Sequence, residues 1–167
     1  MPKIIIIRGN SGSGKTTTAK ELQKTLGYGT MLISKDVIRR EIMYVKGPNK
    51  KAADLMEAMV AFASKNCETA ILEGILSSEV YEKLFDEISR IYANNIHAYY
   101  FDLTFEETLK RHLQRPYAND ICETEMRKWW SEKDYLPNIP EKLLSEGMSK
   151  TYIVNLILSD LENNCHD

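Results

Sequence analysis

The chain has 167 residues, with 22 Lys+Arg and 24 Asp+Glu, so its formal net charge is −2 at pH 7. This balance excludes a strongly basic nucleic-acid-binding protein and an acidic tail protein, and the length predicts a single domain over residues 1–167. The three cysteines are an odd number without a CxxC pair, which indicates neither a disulfide framework nor a zinc site. No apolar run approaches the roughly 18 residues that a membrane span needs. We therefore expect a cytoplasmic protein that makes no membrane contact.

Short apolar runs alternate with helical patterns along the chain. In chain order, the residue patterns predict a strand at 4–7, a helix at 15–26, a strand at 30–34, helices at 36–45 and 49–67, a strand at 69–72, a helix at 78–92, a strand at 96–103, a helix from Thr104 to about 115, a weak strand at 141–145 and a last helix capped by Ser149. Strands that alternate with helices are typical of βαβ units. The predicted fold class is therefore α/β with a five-stranded parallel sheet flanked by helices.

The stretch from Pro116 to Pro140 is the least regular part of the sequence, although residues 123–133 have a possible helical pattern. Its prolines, dense charge and weak periodicity predict few buried contacts. We expect residues 115–136 to form a mobile lid, because a closing element needs low local stability.

The first predicted strand leads into a complete phosphate-loop motif, G-x-x-x-x-G-K-[ST]. Its members are Gly9, Asn10, Ser11, Gly12, Ser13, Gly14, Lys15 and Thr16, followed by Thr17. Such a loop points its backbone N–H groups at phosphates, while the lysine reaches the β- and γ-phosphates and the Thr16 hydroxyl ligates Mg²⁺. A strand before the loop and a helix after it supply the required context. We expect all nine residues to contact ATP.

With this motif order and size, the chain resembles the small P-loop kinases, the group that includes adenylate, shikimate, gluconate and uridine kinases, chloramphenicol phosphotransferase and zeta toxins. The resemblance covers nearly the whole chain and implies a three-layer fold with a small lid, ATP as phosphate donor and Mg²⁺. It also implies that Asp36 is the general base and that Arg39, with Arg40 beside it, holds the acceptor. The alternatives are a helix cap for Asp36 and a solvated helix face for the two arginines.

Residues 69–74 form an apolar strand that ends in Glu73 and Gly74, which is the arrangement of a Walker B element. In that role Glu73 holds Mg²⁺ together with Thr16, or contacts the acceptor; the alternative is a cap for the next helix. The run from Ile71 to Leu76 is similar to that of uridine kinases. Nucleoside-monophosphate kinases usually carry an arginine shortly after this glycine, and its absence here weakens the case for a nucleoside-monophosphate acceptor.

Arg111 and Arg115 lie four residues apart at the end of a predicted helix. In the kinases that the chain resembles, arginines at this place belong to the lid and stabilise charge on the transferred phosphoryl group. We expect at least one of them to do so here. The alternative for Arg111 is a surface ion pair with Glu107, four residues earlier.

The sequence thus predicts an ATP-dependent phosphotransferase that acts on a hydroxyl of a small molecule, nucleoside or sugar nucleotide. A nucleoside-monophosphate or polynucleotide 5′-kinase is the alternative, although the net charge of −2 makes a nucleic-acid partner unlikely. A nucleotide-dependent switch is a rival of another class, but the chain has no Asn-Lys-x-Asp motif. The acceptor, the oligomeric state and the choice of base between Asp36 and Glu73 stay open.

Overall fold

The computed structural model describes residues 1–114 and 122–163. In chain order its elements are β1 (Lys3–Gly9), α1 (Lys15–Leu26), β2 (Thr30–Ser34), α2 (Lys35–Val37) continued by a π-helical segment (Ile38–Ile42), α3 (Lys50–Asn66), β3 (Thr69–Gly74), α4 (Glu82–Tyr92), β4 (Ile96–Phe101), α5 (Phe105–Leu113), α6 (Glu123–Lys128), β5 (Glu141–Leu144) and α7 (Lys150–Asn163).

The five strands form one sheet in the order β2-β3-β1-β4-β5, and every neighbouring pair is parallel. The predicted α/β class and five-stranded parallel sheet are confirmed. β1 is central, so the loop that follows it lies at the middle of the carboxyl edge, where ligands of open α/β sheets bind.

Alternate residues of β1 enter two separate cores. Ile4 and Ile6 pack with residues of α3 and α4, whereas Ile5 and Ile7 pack with residues of α1 and α7. All four isoleucines are fully buried. A strand covered on both faces needs no polar alternation, which explains the continuous apolar run. The sheet and the helices on its two sides form three layers.

Several predicted boundaries are wrong by a few residues. α4 begins at Glu82 rather than at 78, because the Ser78 N–H donates to the Asp134 carboxylate at 3.1 Å instead of entering the helix. α6 ends at Lys128 rather than at 133. Lys133 itself has a positive φ of 48°, which a right-handed helix does not accept. The Ser149 hydroxyl caps α7 as predicted, accepting a bond from the Tyr152 N–H.

Residues 122–136, the described part of the predicted lid, are mostly exposed and contact the body at a few positions. Met126 and Leu136 are buried, and the Ser131 N–H donates to the Asn10 side chain at 2.9 Å. The expectation of few buried contacts stays a prediction. Residues 115–121, which include Arg115, lie outside the described residues, and lid closure itself stays a prediction.

Within the two described ranges, no helix combines the length and the apolar character that crossing a membrane requires.

Candidate active site

The phosphate loop connects β1 to α1 and is shaped by its glycines. Gly12 has a φ of 81°, and a Cβ atom there would lie 2.5 Å from the carbonyl oxygen of Thr108. Any larger residue would push the loop away from α5. The Lys15 ammonium lies inside the loop, 2.6 Å from the Asn10 carbonyl oxygen and 3.2 Å from the Ser13 hydroxyl. The lysine is thus held at the centre of the cradle that phosphates would occupy.

The other loop residues have different surroundings. Asn10 exchanges two hydrogen bonds with the backbone of Ser131, at 2.7 and 2.9 Å. Ser11 lines a cavity at this edge, which is described below. Thr17 is exposed, and its hydroxyl donates to the Gly14 carbonyl. The predicted loop residues are therefore together, but Asn10 serves to join the loop to the segment after α6.

Glu73, at the end of β3, is 2% exposed and lies beside the start of α1. The Thr16 hydroxyl is 3.1 Å from both of its carboxylate oxygens, and the Ser34 hydroxyl donates to one of them at 2.5 Å. Glu73 is therefore not a cap for the next helix. One hydroxyl and one carboxylate next to a phosphate loop fit Mg²⁺, which keeps several waters and binds proteins through few ligands.

A cavity of about 410 Å³ opens beside the loop. Its polar wall comes from α2 and the π-helical segment, and its apolar wall from the chain after β3 and from Trp129. The lining residues are Ser11, Lys35, Asp36, Arg39, Arg40, Gly47, Pro48, Ile75, Ser77, Val80, Tyr81 and Trp129. The structure therefore brings Asp36, Arg39 and Arg40 to one cavity with the phosphate loop. Glu73 is not among the lining residues.

Asp36 lies in the first turn of α2 but makes no capping hydrogen bond. Its carboxylate is half exposed and 3.6 Å from an Nη atom of Arg39. The helix-cap alternative is therefore not supported. Arg39 is mostly buried, and its Nε atom has no hydrogen-bond partner among the described residues. Both arginines line the cavity, although Arg40 is exposed, so the solvated-face alternative stays open for Arg40.

Lys35 is a cavity residue that the sequence analysis missed. Its ammonium lies 5.9 Å from the centre of the Tyr81 ring, and its stem passes over Gly74. Burial lowers the pKa of Lys35, and the nearby Arg39 and Arg40 lower it further, while the carboxylates of Asp36 and Glu73 oppose the shift. The signal in the sequence was the position of Lys35 directly after β2, next to Asp36.

Arg111 lies on the opposite side of the loop. Its guanidinium binds Glu107 at 2.6 Å and donates to the Ser13 carbonyl at 2.9 Å. The ion pair of the alternative interpretation exists, but it also holds the arginine against the loop. A second cavity of about 240 Å³ lies here between the loop, Arg111, Met148 and Lys150. Arg111 therefore lines the side of the loop away from Asp36.

A second missed residue is Arg8, which is 1% exposed at the end of β1. It donates to both carboxylate oxygens of Glu141 at 2.8 and 2.9 Å, to Asp134 at 2.9 Å and to the Leu76 carbonyl at 2.8 Å. Asp134 in turn accepts from the Ser78 N–H and hydroxyl. These residues form a buried ionic cluster, which we call the Arg8 cluster.

The adjacent tryptophans have different places. Trp129 lines the cavity and is 45% exposed. Trp130 packs edge-on against Phe105, with ring centres 5.3 Å apart. One tryptophan is thus available to a ligand, while the other anchors the segment to α5.

An all-parallel sheet in this order, with a phosphate loop after its central strand and a carboxylate at the end of the next strand, defines a small P-loop kinase fold. A family model described as AAA domain matches residues 5–130, so the chain belongs to this family. No curated protein sequence matches the chain.

Solved structures agree over nearly the full length. A candidate kinase from Chloroflexus aurantiacus has a TM-score of 0.72 at 18% identity and covers 97% of both chains. An APS kinase from Mycobacterium tuberculosis, solved in complex with AMPPNP and APS, has a TM-score of 0.68 at 17% identity and covers 96% of this chain and 98% of its own. A gluconokinase from Sinorhizobium meliloti has a TM-score of 0.66 at 13% identity, with 98% and 93% covered. At identities of 13–18%, the similarity to these structures establishes the fold and not the substrate.

Proposed function

We propose that the protein is an ATP-dependent phosphotransferase whose acceptor is a hydroxyl group of a small molecule. The observation that carries this proposal is one continuous cavity, lined by Ser11 of the phosphate loop on one side and by the Asp36 carboxylate on the other. A phosphate donor on the loop and an acceptor beside Asp36 would therefore share one cavity. Phosphoryl transfer needs this positioning together with charge stabilisation.

In the proposed reaction the acceptor oxygen attacks the γ-phosphorus of ATP. The bond from that phosphorus to the bridging oxygen breaks, ADP leaves with the electron pair, and the hydroxyl proton passes to the Asp36 carboxylate and then to solvent. Lys15 neutralises charge on the β- and γ-phosphates, as its place inside the loop supports. The γ-phosphoryl group changes its oxygen partner, and no oxidant or reductant is required.

The surroundings of the two carboxylates support a division of roles. Glu73 is buried and accepts hydrogen bonds from the hydroxyls of Thr16 and Ser34, whereas Asp36 is half exposed and lines the cavity. We assign Thr16 and Glu73 to Mg²⁺, which when bound neutralises part of the phosphate charge. Asp36 is then the base. A buried carboxylate with two hydroxyl donors is poorly placed to receive a proton from a separate acceptor.

The nucleoside base of ATP has a candidate place in the 240 Å³ cavity beside Arg111. The cavity has the planar guanidinium of Arg111 on one side and apolar atoms of Met148 and Ile153 on another. A guanidinium stacks well on flat rings. Within the proposal Arg111 therefore contacts the base of ATP. The expected role of Arg115 at the γ-phosphate stays a prediction.

The test is a transfer assay with γ-labelled ATP, Mg²⁺ and a panel of sugars, sugar acids, nucleosides, nucleotides, sugar nucleotides and antibiotics. The proposal predicts slow ATP turnover in buffer, acceleration by one class of acceptor, and label on that acceptor. Turnover that no hydroxyl compound changes would instead favour the nucleotide-dependent switch. Lys15→Ala is the control for contaminating kinases.

A further inference from the structure

Residues 129–133, which follow α6, form a thin wall that borders two cavities. Trp129 lines the 410 Å³ cavity of Asp36. A different cavity of about 430 Å³ is lined by the next residues of the stretch, among them Trp130, Glu132 and Lys133. A stretch that borders open space has few packed neighbours to fix its position. The place of Trp129 therefore depends on the few contacts that the stretch does make.

Asn10 of the phosphate loop makes two of these contacts. Its side chain donates to the Ser131 carbonyl at 2.7 Å and accepts from the Ser131 N–H at 2.9 Å. Among residues 1–114 and 122–163, the remaining hydrogen bonds of residues 129–133 stay within this stretch, α6 and Tyr135. Asn10 is 6% exposed, so water competes little for its two bonds. The wall is thus hydrogen-bonded to the body of the protein through a single loop residue.

The backbone of Asn10 is also joined to the group that binds phosphate. Its carbonyl oxygen accepts from the Lys15 ammonium at 2.6 Å and from the Ser13 hydroxyl at 2.9 Å. A phosphate on the loop would attract Lys15 more strongly than a neutral carbonyl does, because hydrogen bonds between two charged groups are the stronger ones. Filling the loop therefore changes the bonding of the Asn10 peptide, while the Asn10 side chain holds the wall.

We infer that Asn10 is a positioning residue that couples nucleotide on the phosphate loop to the place of Trp129 in the cavity of Asp36. This inference rests on the proposed function, since nucleotide phosphates are the occupant of the loop, and it adds how the donor acts on the acceptor wall. The route is contiguous: Lys15 contacts the Asn10 carbonyl, the Asn10 amide holds Ser131, and the chain leads from Ser131 to Trp129. Such a series of direct contacts is a physical means of coupling two sites.

The coupling makes the acceptor site depend on the donor. Trp129 is 45% exposed, so a shift of the wall changes the surface that an acceptor meets. An acceptor that fits the wall in its nucleotide-bound position binds better once the loop is filled, and by reciprocity it strengthens nucleotide binding by the same factor. Couplings of this kind typically change affinity about 5- to 150-fold. The expected binding order is therefore nucleotide first and acceptor second.

Direct contact is the simpler explanation for an effect of nucleotide on Trp129, because Ser11 of the loop lines the same cavity. The two explanations differ in the role of the Asn10 side chain. Direct contact does not need the two bonds to Ser131, whereas the coupling does. Asn10→Ala removes both bonds but keeps the backbone N–H and carbonyl of the loop, so this variant separates the two explanations.

The first experiment uses Trp129 as its own reporter. The chain has two tryptophans, so Trp130→Phe leaves Trp129 alone and keeps an aromatic ring against Phe105. Acrylamide quenching of the Trp129 fluorescence is measured with and without AMPPNP and Mg²⁺, at a concentration that calorimetry shows to be saturating. We expect nucleotide to change the quenching constant. Asn10→Ala in the same background should abolish this change.

Asn66→Ala is the matched control, because it deletes another asparagine amide that donates to a backbone carbonyl, that of Phe62 in α3. The change in quenching should persist in this control. A change that also persists in Asn10→Ala comes from direct contact and overturns the inference. So does an unchanged quenching constant in Trp130→Phe itself, a result that can be read even if Asn10→Ala does not fold.

The second experiment measures the coupling during turnover, with an acceptor found in the transfer assay. The KM of that acceptor is determined at low and at saturating ATP. In the wild type it should fall about fivefold or more as ATP saturates the loop, whereas in Asn10→Ala the two values should be nearly equal. A purely structural role of Asn10 would lower Tm and kcat and leave this ratio as in the wild type, which would overturn the inference.

The two experiments fail in different ways if the inference or the proposed function is wrong. If AMPPNP changes the quenching of Trp129 only when Asn10 is present, but no hydroxyl compound accepts phosphate, then the coupling stands and the proposed transfer fails. If transfer occurs but Asn10→Ala keeps the response of Trp129, then the transfer stands and the coupling fails. If calorimetry detects no binding of AMPPNP to the wild type, both are overturned.

Discussion

The Arg8 cluster allows a sharp test of how the candidate site is held in place. Arg8→Met removes the guanidinium but keeps an unbranched side chain of adequate length. The substitution leaves Glu141, whose side chain is 2% exposed, with the Leu136 N–H as its remaining described partner, and leaves Asp134 with Ser78. Two carboxylates then lie in a poorly solvated place without their cation. We expect a large loss of stability.

The magnitude follows from the burial of the pair. Breaking a buried ion pair by removing one partner costs about 3–5 kcal/mol, which is a large part of the roughly 5–15 kcal/mol that stabilises a typical domain. For a chain of this length, each kcal/mol lowers Tm by about 2–4 °C. Arg8→Met should therefore lower Tm by about 6–20 °C. Unfolding by urea should show a lower midpoint at unchanged slope, because the exposed surface does not change.

The control is Lys142→Met, which removes a cation from the more exposed ion pair with Asp160. Such pairs contribute at most about 1 kcal/mol. Arg8→Lys is a second variant, in case Arg8→Met does not fold; it keeps the charge and loses the paired donors, so its loss should be intermediate. If Arg8→Met unfolds with the same free energy as Lys142→Met, then the reasoning about the cluster is refuted.

Three further predictions concern the site itself. Lys15→Ala should lower transfer by about 10² to 10³ or more, as the loss of a preorganised cation does, with an unchanged circular dichroism spectrum; near wild-type transfer would contradict the assignment of the loop. Asp36→Asn should lower kcat by about 10² or more with ATP affinity and Tm unchanged, since Asp36 caps nothing; a parallel loss of stability would point to a structural role. In hydrogen exchange, the amides of Ser131 and Leu136 should be slow even without nucleotide, because both donate to side chains; fast exchange there would show that the predicted lid opens over residues 122–136.

Much of the fold could be predicted because its signals are local. The apolar run before Gly9 marks a strand buried on both faces, and the phosphate-loop motif marks the turn that follows. The pairing of β1 with β3 and β4 then follows from the rules of parallel sheets. The carboxyl edge collects the ends of these strands, so the contact of Thr16 with Glu73 and the position of Asp36 at the same edge were also predictable.

The Arg8 cluster could not be predicted in the same way. Arg8 follows four isoleucines, and strand alternation places it on the face of Ile4 and Ile6, but a charged residue at a strand end is usually read as the start of a loop. Its partners Asp134 and Glu141 are more than 120 residues away, and Asp134 lies in the irregular stretch before β5. Dense charge there predicts solvated surface, and no local signal marks Asp134 as the partner of a buried arginine.

Lys35 was missed for a different reason. Directly after a strand, a lysine next to an aspartate resembles ordinary surface, and nothing local shows how deep it lies. Its depth depends on Gly74, where a Cβ atom would lie 2.7 Å from the Cβ of Lys35. The absence of a side chain at the end of β3 thus lets the lysine stem lie across the strand. The positive charge that Lys35 brings to this cavity is therefore a tertiary property.

The Arg8 cluster lies where it can hold the parts of the candidate site in place. Arg8 directly precedes the phosphate loop, Leu76 and Ser78 belong to the chain after β3 that lines the cavity of Asp36, and Asp134 follows Trp129 in the segment bound by Asn10. Charge-assisted hydrogen bonds fix distance and direction, which apolar contacts do only loosely. A misplacement of about 1 Å can cost about 10² in rate when catalysis depends on positioning. An ionic cluster would be hard to explain at the centre of this sheet, where isoleucines pack well, but at the carboxyl edge it holds the phosphate loop and the chain after β3 in one fixed relation, which the proposed transfer would require.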